Sequence, residues 1–83
     1  MTTTTPESVR TLLGQLLVTR FEVPADEVRD AAPMAEFLVD SLLVVEMAIA
    51  VHDEFGVKVE EEELRGTTLA EFAAVVEDRR SRA

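Results

Sequence analysis

The chain contains no cysteine. That excludes disulfides, a thiolate metal site and a cysteine nucleophile, so stability has to come from packing alone. The absence fits a reducing compartment, and a cytoplasmic location is expected. No secretory leader is expected either, because MTTTTPESVR has neither a basic region nor an apolar run. The longest apolar stretch, Leu42 to Val51, is interrupted by Glu46. It falls well short of the ~20 residues that a membrane-spanning helix needs, so no membrane insertion is expected. Basic residues are scarce where acids gather: between Asp30 and Leu64, Lys58 alone faces Asp30, Glu36, Asp40, Glu46, Asp53, Glu54 and Glu60 to Glu63. The whole net charge of −9 sits in that segment, since seven acids outside it are matched by seven arginines. Phosphate binding needs a basic face, so nucleic acid is excluded as the expected partner. An acidic field instead steers basic protein partners. No internal repeat or linker is visible.

What is present describes one domain. Eighty-three residues, 47% of them apolar, suffice for a modest core but not for two. Residues 1–5 and 80–83 are expected to fray, and the chain, beginning at Met1, reads as a free-standing protein and a monomer. Thr5-Pro6 offers a cap and a proline for the start of a first helix. Val9, Leu12, Leu13, Leu16 and Leu17 then recur as one buried stripe. Gly14 leaves room for close packing. From Phe21 to Val39 the pattern breaks up around Pro24 and Pro33, with a helical turn predicted at Ala25 to Val28. Phe21, Val23, Val28, Met34, Phe37 and Leu38 anchor this long loop, whose length points to a functional segment. A second helix runs from Asp40-Ser41 to Gly56. Val57 and Val59 flank Lys58 as an extended connector, and Glu60 to Arg65 forms a short helix. Thr68 and Glu71 have capping-box spacing at the start of the last helix. That helix buries Leu69, Phe72, Ala73 and Val76, and ends in arginines that suit its dipole. The fold class predicted is all-α: a small antiparallel bundle of three principal helices plus a short fourth.

The second helix is apolar on too many sides for such a bundle. With Ser41 at zero and about 100° per residue, Val44, Met47, Ala48, Val51 and Phe55 form a core stripe. Leu42, Val45 and Ile49 align on the opposite side, among Glu46, His52 and Asp53. A bundle helix buries only one stripe, so the second face is predicted to be a docking ridge for a protein partner. Ser41 is not an activated nucleophile. The single histidine, His52, lies eleven residues further on, roughly 16 Å along the helix axis and beyond hydrogen-bond reach. By spacing alone, Asp40 or Ser41 is simply a helix cap.

Asp40-Ser41-Leu42, followed by Val45-Glu46 and closed by Glu54-Phe55-Gly56, resembles the acyl carrier proteins. The likeness runs from the first helix through the long loop to the EEEL turn and the TTLAEF start of the last helix. It implies that Ser41 carries 4′-phosphopantetheine through a phosphodiester, installed from coenzyme A by a separate phosphopantetheinyl transferase. Asp40 would help to organise the metal and pyrophosphate in that transfer complex; the chain itself is expected to hold no metal and to have no catalytic residue. Leu42, Val45, Glu46, Ile49 and Asp53 match the family's partner-binding face, and His52 falls on it where the family commonly has an acid. The partners implied are acyltransferase, ketosynthase or acyl-ligase enzymes with basic docking faces, in polyketide, fatty-acid or related biosynthesis.

Two departures bear on the pathway. The run Phe37-Leu38-Val39 stands where many members have a small residue before the motif aspartate. Leu43 and Val44 replace residues that are often polar in the fatty-acid type. These features favour a specialised discrete carrier. Peptidyl or aryl carriers share the fold and arm but usually show a glycine-rich run before the serine, which is absent here. A D-alanyl carrier fits the size and acidity, and a helical adaptor without a prosthetic group fits the ridge alone. A calcium site fits least, because Glu60 to Glu63 is a charge run and not an ordered ligand loop.

Overall fold

A computed structural model describes residues 8–82. Three long helices, α1 (Val9–Thr19), α3 (Ser41–Phe55) and α5 (Leu69–Arg82), are joined by two short ones, α2 (Met34–Phe37) and α4 (Glu61–Gly66). A single 3-10 turn, Ala25–Glu27, interrupts the long loop. The all-α class and the three principal helices agree with the sequence reading. α1 packs against α5, while α2 and α3 both pack against α4. The shared core contains Leu13, Leu17, Met34, Met47, Leu64, Leu69 and Phe72, each fully buried. Val57 and Val59 are buried too, so the connector between α3 and α4 contributes to the core.

Several local expectations are corrected. The N-cap of α1 is Ser8, whose hydroxyl accepts the Thr11 N–H at 3.2 Å; Thr5 and Pro6, and the fraying foreseen for residues 1–5, lie outside the described residues. Leu12 is only partly buried. α2 was not foreseen, because four residues are too few for a periodic pattern; its one signal is Met34 and Phe37, both buried, one helical turn apart. α5 remains helical through Arg82, into the stretch expected to fray. Gly14 does not seat a helix: a Cβ there would lie 2.9 Å from the Arg10 guanidinium and 3.4 Å from Val28. The missing side chain lets Arg10 cross the helix to pair with Asp30 in the loop.

The loop owes its order to α5. The first four N–H groups of a helix have no intrahelical partner, and in α5 all four are satisfied. Leu69 donates to the Ala32 carbonyl at 2.9 Å and Ala70 to that of Asp30 at 3.1 Å. Glu71 donates to the Thr68 hydroxyl at 3.2 Å. The Glu71 carboxylate in turn accepts the Thr68 N–H at 2.9 Å, completing the predicted capping box. Loop carbonyls thus serve as helix partners, and Met34 N–H returns the connection to Thr67 at 2.9 Å.

α3 ends where Gly56 adopts φ +68°, its N–H bonding the His52 carbonyl at 2.9 Å. Nothing lies within 4 Å of a Cβ added there, so a side chain would meet only backbone strain. Gly56→Ala is therefore expected to cost about 1–2 kcal/mol in a urea titration, with the fold unchanged.

Glu63 and Arg79 clamp α4 to α5. Both guanidinium nitrogens of Arg79 reach the Glu63 carboxylate, and Arg79 also donates to the Lys58 carbonyl at 3.0 Å. Glu63 further accepts the Glu60 N–H at 2.9 Å. Within the Glu60 to Glu63 charge run, Glu63 is therefore not simply a solvated acid but a structural ion-pair partner. The Arg79 hydrogen bond, then the Glu60 N–H, hold its carboxyl below the ordinary 4.5, against a weaker opposing effect of burial. A carboxyl lowered on folding stabilises the protein above its unfolded pKa and loses that contribution as pH falls through the folded value. The melting-temperature gap between wild type and Glu63→Gln is accordingly expected to be full near neutral pH and to shrink as pH drops below about 4.5.

Candidate prosthetic-group site and docking face

Asp40 settles which residue caps α3. Its backbone is extended (φ −137°, ψ 169°), and its carboxylate accepts the Leu43 N–H at 2.9 Å. The Asp40 carbonyl accepts the Val44 N–H at 3.2 Å. The cap is thus supplied without Ser41, the first helical residue, which is exposed and makes no hydrogen bond through its hydroxyl among the described residues. The N–H groups of Ser41 and Leu42 also have no partner among the described residues. This is the reverse of the start of α5. One helix opening is fully satisfied, and the other presents a spare hydroxyl beside two open donors at the positive end of the dipole.

A phosphodiester fits that position. It is an anion at a helix N-terminus, where backbone N–H groups and the dipole favour negative charge, and the serine that would bear it has no structural duty. When bound, 4′-phosphopantetheine supplies a terminal thiol that holds an acyl group as a thioester. In a chain without cysteine this thiol has no internal competitor. Among the described residues, no group of three or more His, Asp or Glu side chains is placed to hold a metal ion.

The two faces of α3 separate as its helical periodicity predicts, with one shift. Val44, Met47, Val51 and Phe55 are buried as expected, but so is Ala50, while Ala48 is only partly covered. The buried stripe is thus rotated towards Ala50, and Ala48 faces a cleft. Opposite the core, Leu42, Val45 and Ile49 are 64%, 43% and 53% exposed. Glu46, His52 and Asp53 are exposed on the same helix, with the His52 ring nitrogen 4.0 Å from the Asp53 carboxylate. Among the described residues, no buried polar or charged side chain competes for the interior.

Other residues border this ridge that sequence spacing does not indicate. On one flank Arg20 and Phe21, from the end of α1, meet Glu46 and Ile49 around a notch of about 350 Å³. On the other, Lys58, Val59 and Glu61 face Val45, Ala48 and Ile49 across a mostly apolar cleft of about 450 Å³. These neighbours come from segments distant in sequence. In the sequence, Phe21 reads as a loop anchor and Val59 as part of the connector, and spacing gives no sign that either borders the ridge. Among the described residues, no helix is long and apolar enough to cross a membrane.

A small helical domain that offers an exposed serine with an uncommitted hydroxyl at a helix start, with an apolar ridge edged by acids running away from it, has the form of a carrier domain. The phosphopantetheine attachment site family matches residues 11–76, and the chain belongs to it. An acyl carrier protein of Saccharopolyspora erythraea is 38% identical over 55 residues. That match takes in 65% of this chain and spans 58% of the relative's length. No solved structure gives a significant match. Covalent phosphopantetheine is the hallmark of the family.

Proposed function

We propose that the protein is a discrete acyl carrier whose arm is attached at Ser41, and that it serves polyketide or related specialised biosynthesis. The observation that carries the attachment reading is the division of labour at the start of α3: Asp40 caps the helix and leaves the exposed Ser41 hydroxyl spare. Asp40 acts with the transferase to organise the metal and pyrophosphate of coenzyme A. Leu42, Val45, Glu46, Ile49, His52 and Asp53 receive basic partners such as ketosynthases, acyltransferases or acyl ligases. The chain itself catalyses nothing; it is monomeric, works in the cytoplasm and brings a thioester to enzymes that do the chemistry.

The pathway reading is supported by the apolar character of the ridge. Val39 and Leu42 flank the Asp40-Ser41 pair, both largely exposed, and Leu43 is half-buried at the edge of the core. A docking face this apolar selects partners with matching apolar depressions.

Intact mass after incubation with coenzyme A, magnesium and a broad-specificity transferase tests the function. A gain of one phosphopantetheine is expected. No gain by the folded protein, from a transferase that modifies a control carrier, points to an adaptor. Fatty-acid synthase enzymes that turned over the loaded protein as well as their own carrier would sink the specialised pathway.

A further inference from the structure

Val39 is the most exposed large hydrophobic residue among those described, at 75%, and no partner of its own has been assigned to it. It precedes the helix, so helical periodicity does not assign it to the ridge. It lies two residues from Ser41, with the extended Asp40 between them and no cis peptide. Its Cα is thus about 7 Å from that of Ser41.

We propose that Val39 is a specificity residue for loading, covered by the phosphopantetheinyl transferase. The proposal rests on Ser41 being the attachment residue. Loading joins Ser41 Oγ to the coenzyme A phosphorus that bears pantetheine. The bond to the departing adenosine 3′,5′-bisphosphate breaks, and the Oγ proton passes to a base on the transferase or to solvent. Such a displacement requires the attacking oxygen roughly 3–3.5 Å from phosphorus. The transferase must therefore close around Ser41 itself. A standard interface covers about 800 Å² per partner, a patch of about 16 Å radius. Centred on Ser41, it places Val39 well inside the desolvated middle and not on the rim.

Enzymes that act later work at the far end of the arm. They are under no such requirement to enclose the residues before the serine. The occupant is thus the loading enzyme. Its surface pairs an apolar depression for Val39 with cations for Asp40 and Glu46, both exposed. Most of the Val39 surface is free to be buried only in that complex, and its loss affects binding more than chemistry.

Steady-state loading kinetics with varied carrier concentration test this. For Val39→Ser, the KM for the carrier is expected to rise about tenfold, with kcat retained because the lost contact is made equally before and in the transition state. Val39→Ile keeps wild-type KM, and the melting temperature of each variant is unchanged, as befits an exposed side chain. If Val39→Ser fails to fold, Val39→Thr provides a nearly isosteric polar variant for the same comparison. An unchanged KM in a protein that loads normally overturns the inference and leaves Ser41 as the attachment point. An unchanged KM with impaired turnover by a downstream enzyme overturns it as well, by naming a different occupant. A wild type that gains no phosphopantetheine removes the attachment reading and this inference together.

Discussion

Ser41→Ala is expected to stay at its unmodified mass under conditions that load the wild type completely, while melting almost where the wild type does. The two halves of this result have separate causes. Loading needs an oxygen nucleophile at the start of α3, and alanine has none. Stability is spared because Ser41 is exposed and the cap belongs to Asp40, whose carboxylate holds the Leu43 N–H. A serine that capped the helix would cost about 0.5–2 kcal/mol on truncation. With the cap assigned to its neighbour, the expected change falls within about 0.5 kcal/mol. Asp40→Ala takes the larger loss, about 1 kcal/mol. Intact mass and thermal melts on the pair check both halves. A Ser41→Ala protein that unfolds would mean that the serine is structural.

The second large effect is on the fold. Phe72 is fully buried on α5, in the core shared with the other helices. Phe72→Ala removes the largest fully buried side chain among the described residues. A loss of about 3–5 kcal/mol is expected. A domain of this length has a total stability of roughly 4–12 kcal/mol, so the variant should be partly unfolded at ambient temperature or melt at least about 12 °C lower, given about 4–8 °C per kcal/mol. Ile49→Ala, a truncation of similar chemistry on the exposed face of α3, should shift the melt hardly at all. Circular dichroism melts on the two variants compare them directly. Similar losses would mean that Ile49 is in the core and the ridge is not a free surface.

Much of this arrangement was legible because helices write their environment into the sequence with a fixed period. The core and solvent faces of α3 followed from counting residues at about 100° steps. The capping box at Thr68 and Glu71 followed from spacing that only a helix start rewards. What escaped had no local trace. Ala48 and Ala50 are indistinguishable by composition, so the rotation of the stripe depended on where α4 and the connector pack. Arg79 looked like a dipole partner at a helix end until the fold brought it to Glu63. α2 was hidden by its length, and the start of α1 by two capping sequences in close succession. At the site, residue types suggested a choice between Asp40 and Ser41 as cap. Only the geometry assigns the cap to Asp40.

The unequal helix openings have a spectroscopic consequence. Backbone amides at the start of α5 are held by the loop and by Thr68, so their hydrogens should exchange with solvent only when the loop and the first turn open together. The Ser41 and Leu42 amides are exposed and unpaired within the described chain, so they should exchange freely. A phosphate arriving beside them changes the electrostatic field at two amides that nothing else restrains. Carriers of this design thus contain a native probe of their own loading, readable from two amide resonances without any label on the arm.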